Sequence, residues 1–156
     1  MEEGLFNNRV FRIILSISIG LILFIAAVAK IINPGESLIY FYTLLGIAEL
    51  VLAIGLVLFA SRWHSWAVLS VVFAAWSGYS LYAAMFGLPC PCLGAGLDLP
   101  SGATLPVDAA VLGCSWTLLN RDSHFTPTIC NRLLFLSLGA FFVGFLFPLV
   151  AFHFGT

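Results

Sequence analysis

Long apolar stretches alternate along the chain with short segments that contain proline, glycine or charged residues. The apolar stretches predict helices that cross a membrane, because a helix needs about 20 apolar residues to span the hydrocarbon core. Five are expected, at about residues 13–32, 38–60, 66–88, 105–119 and 133–154. The fourth is the weakest, since its roughly 15 residues rise only about 22 Å, so it must be short, deep in the bundle or partly non-spanning.

Composition places these helices in a lipid bilayer rather than in a water-soluble core. Hydrophobic residues make up 62% of the 156 residues and charged residues only 8%, whereas a soluble domain carries about 25% charged residues. The net charge of -1 offers no basic surface, so nucleic acid is not an expected partner. The predicted fold class is an all-α integral membrane bundle in a single domain, residues 1–156, with a four-helix core and a fifth C-terminal transmembrane helix.

Positive charges predict the orientation of the helices, because lysine and arginine are enriched in cytoplasmic loops. With the N-terminus in the cytoplasm, five of the six positive charges lie on the inner side: Arg9, Arg12, Arg62, Arg121 and Arg132. Lys30 alone falls on the outer side, where it is expected to snorkel to the surface. The segment 89–104 then lies outside. The first helix is expected to be retained rather than cleaved as a signal peptide, because it is long and two glutamates precede it.

Two cysteines carry the most distinctive chemistry. Cys90 and Cys92 flank Pro91 just after the third helix, on the side of the membrane where disulfides persist. A disulfide between them closes a tight ring, and such a strained bond is easily reduced, as catalytic disulfides are. A permanent structural disulfide is one alternative. Another is copper(I) binding, because soft thiolates select this ion, although no histidine- or methionine-rich stretch accompanies the pair.

Glu49 is a charged residue inside the predicted second helix. A charge there costs about 3 kcal/mol on insertion scales, so Glu49 is expected to face the bundle interior, as a structural hydrogen-bonding group or a proton relay. Trp76, Ser77 and Tyr79 of the third helix lie at a similar depth, and are candidates to bond Glu49 or border a quinone. Lys30 is expected to be a poor direct partner, because Glu49 lies about 16 Å deeper by helix rise.

Three further reactive side chains are interpreted as structural. Asp108 is expected in the first turn of the fourth helix, where an acid suits the helix dipole. Cys114 is expected as a small buried side chain within that helix. Cys130 is expected in an inner loop, where it stays reduced.

The order of these features resembles the MauE/DoxX group of small redox-associated bacterial membrane proteins, over about residues 12–119. The likeness rests on Arg12 and the apolar helix after it, and on three short motifs: Ala26-Ala27-Val28-Ala29-Lys30, Ala48-Glu49-Leu50 and Cys90-Pro91-Cys92-Leu93-Gly94. Family members often have Cys-Gly-Cys-Phe-Gly, so this chain departs from the pattern at Pro91 and Leu93.

The resemblance implies a helical bundle in the bacterial inner membrane, with periplasmic thiols and a thioredoxin-like periplasmic partner. On this likeness Cys90 and Cys92 are the redox pair, and Lys30 and Glu49 are the matching intramembrane charges. The leading hypothesis is a membrane thiol–disulfide relay that supports redox maturation of exported proteins. The alternatives are a quinone-linked oxidoreductase subunit, a copper(I) thiolate carrier, and a non-catalytic scaffold or assembly subunit that docks a partner on its fifth helix.

Overall fold

The protein is all-helical over the part of the chain that the computed structural model describes, residues 2–33, 39–88, 103–122 and 124–154. Its five helices are α1 (Glu2–Ile32), α2 (Ile39–Leu58), α3 (Trp63–Phe86), α4 (Leu105–Asn120) and α5 (Pro127–Phe154). The predicted all-α class and all five helices are confirmed. The main differences lie at the N-terminal ends, since α1 and α5 begin well before residues 13 and 133.

Over the residues with described side chains, three helices are long and apolar enough to cross a membrane. These candidate spans are Arg9–Ile32, Trp63–Phe86 and Pro127–Val150. α2 is also apolar along its 20 residues, with Glu49 as its one charge. The 16 residues of α4 rise about 24 Å, which is less than the roughly 30 Å of a hydrocarbon core. α1, α3 and α5 therefore have the length and apolarity of membrane-spanning helices.

The chain divides into two compact units, which are described separately, and the expectation of a single domain stays a prediction. The first unit contains α1 and α2, which pack against each other in antiparallel directions. At one end the Arg12 guanidinium donates a hydrogen bond to the Ser61 carbonyl, at 3.4 Å. Toward the other end, Gly46 of α2 lies against the Ala27 carbonyl of α1.

Buried residues of the first unit follow the repeat expected for packed helices, every three or four positions. On α1 they are Ser16, Ile19, Gly20, Leu23, Ala26, Ala27 and Lys30, and on α2 they are Gly46, Glu49, Ala53 and Leu56. Small residues recur in both stripes. They allow the two backbones to approach closely, which is how transmembrane helices associate without a hydrophobic driving force.

The second unit contains α3 from Trp66 onward, α4 and α5. Here α3 and α5 cross with their backbones in contact. A Cβ atom added at Gly78 would overlap the Phe141 carbonyl, and one added at Gly144 would overlap the backbone of Ala75. Only glycine fits at these two points, so the pair fixes where the helices cross.

Most of α5 is uncovered. Large apolar side chains such as Phe135, Val143 and Leu136 are 73%, 66% and 62% exposed. Its buried positions, Leu133, Ser137 and Pro148, lie on one stripe. The breadth of the apolar exposed face is what a helix in contact with lipid requires.

Candidate functional site

The predicted redox pair lies outside the described residues, but the helix ends on either side of it are defined. Cys90 and Cys92 fall in the segment 89–102, between α3 and α4. The chain leaves α3 through Gly87, which has a φ of 65°, and the Leu88 N–H donates to the Ala83 carbonyl at 2.9 Å. This is the glycine-terminated cap that commonly ends a helix. The cysteine segment therefore begins directly after a sharply ended helix.

A buried hydrogen-bond network joins the same two helices near those ends. The Ser80 hydroxyl of α3 donates to the Asp108 carboxylate Oδ2 at 2.8 Å, and lies 2.9 Å from the Thr104 hydroxyl. Ser80 is 1% exposed and Asp108 7%. Because Ser80 has one proton and donates it to Asp108, the Thr104 hydroxyl is the donor in the second bond. The bonds thus run in one direction, from Thr104 through Ser80 to Asp108.

The position of Asp108 was predicted from the sequence, but its hydrogen bond to Ser80 was not. Asp108 lies in the first turn of α4, as predicted. Burial against Ser80 was not foreseen, because a serine in an apolar helix more often bonds its own backbone, as Ser70 and Ser77 do. The available signal was an acid next to the start of an otherwise apolar helix, which requires a polar partner.

Lys30 and Glu49 form a buried ion pair between α1 and α2. The Lys30 Nζ donates hydrogen bonds to both Glu49 carboxylate oxygens, each at 2.8 Å. Lys30 is 1% exposed and Glu49 5%. The expected interior position of Glu49 is confirmed. The expectation that Lys30 snorkels outward, and is a poor partner for Glu49, is wrong.

Helix register and side-chain direction explain the pairing. Gly46 lies level with Lys30, since a Cβ added at Gly46 would be 3.3 Å from the Lys30 Cβ. Glu49 is then about one turn, roughly 5 Å, farther along α2. Helical side chains lean toward the N-terminus of their own helix. In an antiparallel pair Lys30 and Glu49 therefore lean toward each other.

The candidate quinone-binding residues do not lie in a single unit. Glu49 belongs to the first unit, and Trp76, Ser77 and Tyr79 belong to the second. The Ser77 hydroxyl donates to the Phe73 carbonyl of its own helix, at 2.8 Å. Both Glu49 oxygens accept hydrogen bonds from Lys30.

The other two cysteines are free thiols, both half-buried. Cys114 lies within α4, as predicted, but its side chain is half-buried rather than buried. The prediction that Cys130 lies in a loop is wrong, because α5 begins at Pro127 and the Cys130 N–H already donates to the Thr126 carbonyl at 2.9 Å. Proline fits the first turn of a helix, where its missing N–H has no intrahelical acceptor. Within the described ranges, no three His, Cys, Asp or Glu side chains cluster as metal ligands.

Comparison with known proteins assigns no function to the chain. No protein-family model matches the chain, and no curated protein or solved structure matches it either. The resemblance to the MauE/DoxX group stays a prediction.

Proposed function

We propose that the protein is a membrane thiol–disulfide relay in which Cys90 and Cys92 are the exchanging pair. One observation carries the proposal: two thiols separated by a single proline lie between helix ends that a glycine cap and a buried hydrogen-bond network define. Binding and catalytic residues lie disproportionately on loops that a scaffold of helices or strands positions.

The chemistry is a two-step exchange. A thiolate of the pair attacks one sulfur of a partner's disulfide, forms a mixed disulfide and displaces the partner's second sulfur as a thiolate. The other cysteine then attacks the mixed disulfide and releases the reduced partner, so that Cys90 and Cys92 become the disulfide. Run in reverse, the same steps oxidise the partner. Two electrons and two protons pass between the proteins, and no further reactant takes part.

A thioredoxin-like protein is the partner that suits this exchange. Its active-site cysteines cycle between dithiol and disulfide, and the proposed orientation brings them to the pair. In that orientation the N-terminus is cytoplasmic, the segment 89–104 faces the periplasm, and the chain lies in a bacterial inner membrane. The proposed arrangement of the helices is a four-helix core with α5 beside it. The proposed role of the thiol–disulfide exchange is redox maturation of exported proteins.

Cysteine variants test the relay in cells that export a reporter enzyme whose activity requires disulfides. The expected result is that the double variant Cys90→Ser, Cys92→Ser loses the relay-dependent part of reporter maturation. The matched control is Cys114→Ser, Cys130→Ser, which removes the same number of thiols from α4 and α5 and should mature the reporter normally.

A single substitution provides a direct chemical readout. Cys90→Ser and Cys92→Ser, tested singly, each remove one thiol of the pair. The variant that keeps the attacking cysteine lacks the resolving thiol, so a mixed disulfide with the partner should accumulate in it and disappear on reduction. Full reporter maturation in the Cys90→Ser, Cys92→Ser variant, at unchanged protein level, would refute the relay.

A further inference from the structure

We propose that Arg9 and Arg62 bind the phosphate group of an anionic phospholipid, and that Arg12, between them, holds the two helix ends together. The site lies at one end of the α1–α2 pair. The proposal does not depend on the thiol–disulfide relay. It assigns a partner to a charged part of the surface that takes no part in thiol exchange.

The two helices bring these arginines to the same end of the first unit. Arg9 and Arg12 are three residues apart on α1, so they are neighbours on one side of the helix. The Arg12 guanidinium donates a hydrogen bond to the Ser61 carbonyl at 3.4 Å, which places it beside Arg62, the next residue. Arg62 lies in the turn after α2, where its N–H donates to the Phe59 carbonyl at 2.9 Å. Arg9 and Arg62 therefore lie on either side of the Arg12 contact.

Neither Arg9 nor Arg62 is paired with an acid among the residues that have described side chains. Both arginines are exposed, and neither makes a described ion pair. The Arg62 guanidinium lies over the Phe59 ring, 5.3 Å from the ring centroid. This cation–π contact restrains the guanidinium but leaves its positive charge in place. The excess positive charge at this end of the unit favours an anionic partner.

Apolar side chains beside the two arginines make a lipid the fitting anion. Arg9 directly precedes the apolar run of α1, and Arg62 closely follows that of α2. The exposed apolar neighbours are Val10, Phe11, Ile14, Leu58 and Phe59. A phospholipid matches both parts of this surface, because its acyl chains contact the apolar residues while its phosphate contacts the guanidinium groups. A soluble anion would match only the charge.

Trp63 indicates that this end of the unit lies at a membrane interface. It follows Arg62, is half-buried, and its ring stacks on that of His64 at a centroid distance of 3.8 Å. Indole rings are enriched at the headgroup level of bilayers because they are amphipathic. Arg9 and Arg62 are then at the depth of the lipid phosphates, where a guanidinium forms paired, charge-assisted hydrogen bonds with a phosphate.

Lipid binding by the purified full-length protein tests the proposal. The protein is held in a neutral detergent, and native mass spectrometry counts the bound lipid as phosphatidylglycerol or phosphatidylcholine with the same acyl chains is added. Both lipids contain a phosphodiester, but the choline group cancels its charge. The test variant is Arg9→Gln, Arg62→Gln. The matched control is Arg121→Gln, Arg132→Gln, which removes two exposed arginines from the second unit and gives the same net charge.

The wild type is expected to bind phosphatidylglycerol more tightly than phosphatidylcholine. A basic residue near an anionic membrane surface strengthens binding about fivefold. Arg9→Gln, Arg62→Gln should therefore weaken the binding of phosphatidylglycerol about 30-fold and leave that of phosphatidylcholine unchanged. Arg121→Gln, Arg132→Gln should bind both lipids as the wild type does. All four arginines are exposed, so both variants should fold, which far-UV circular dichroism checks.

Several results would overturn the proposal. Equal affinity of the wild type for the two lipids would remove the selection for negative charge. Unchanged binding of phosphatidylglycerol in Arg9→Gln, Arg62→Gln, or the same loss in both double variants, would show that these two arginines do not form the site. Displacement of phosphatidylglycerol by an equal concentration of inorganic phosphate would show that the site takes a soluble anion rather than a lipid.

Discussion

Removing the positive charge of the Lys30–Glu49 pair should destabilise the first unit strongly. The perturbation is Lys30→Met, which keeps the length of the side chain and its apolar stem. At the observed 2.8 Å, two unit charges attract by about 6 kcal/mol for an effective dielectric constant of about 20. Desolvation offsets part of this attraction. The loss expected when one partner of a buried pair is removed is about 3–5 kcal/mol, because the other charge is left uncompensated.

A double-mutant cycle isolates that pair interaction. Unfolding is followed by circular dichroism as the denaturing detergent SDS is added to mixed micelles. Lys30→Met and Glu49→Leu should each lower the free energy of unfolding by about 3–5 kcal/mol, a factor of about 10² to 10⁴ in the folding equilibrium. The double variant should be close to the wild type, because replacing both charges with apolar groups is often neutral.

Arg9→Met is the matched control on the same helix. The Arg9 side chain is exposed. Its replacement should change the free energy of unfolding by less than about 0.5 kcal/mol, as at most exposed positions. If the Lys30→Met, Glu49→Leu variant were destabilised by the sum of the two single changes, the two charges would not stabilise each other, and the interpretation of the pair would be refuted.

Two contrasts between glycines test the helix contacts. Gly144→Ala should destabilise the second unit by about 1–3 kcal/mol, because its Cβ would overlap the backbone of Ala75. A Cβ added at Gly139 on the same helix has no other atom within 4 Å, so Gly139→Ala should be tolerated in the same SDS titration. Gly46→Leu should push α1 away from α2 and lower the free energy of unfolding by a similar amount. A side chain added at Gly55 points into open space, so Gly55→Leu should be near neutral. Equal losses within either pair, measured as SDS midpoints, would contradict the packing described.

The helices were predictable from the sequence because apolar length alone determines them. A stretch of about 20 apolar residues has few alternatives to a membrane helix, and proline and glycine punctuate the segments between. The starts of α1 and α5 were less predictable. Both helices continue into polar sequence, where hydropathy gives no signal, and this placed Cys130 in a loop rather than in a first turn.

The pairing of side chains was less accessible to sequence reasoning. The separation of about 16 Å expected between Lys30 and Glu49 assumed that Lys30 is level with the start of α2, whereas α2 begins about two turns beyond Lys30. The register of α1 against α2 depends on where small residues such as Gly46 let the two backbones approach. The sequence does not show which residue of the other helix each small residue faces. The contact between Ser80 and Asp108 has the same origin. Neither residue identifies the other in the sequence, and only helix packing brings them within 2.8 Å.

The most direct test of the relay is the redox state of Cys90 and Cys92 in intact cells. The cells are treated with a membrane-impermeant thiol reagent before and after a mild reductant and a mild oxidant, in the Cys114→Ser, Cys130→Ser background. The relay predicts that the pair is reached from outside and that its labelling rises after reduction and falls after oxidation. Labelling that is absent in every condition, or that neither treatment changes, would contradict an exchanging thiol pair on the outer face.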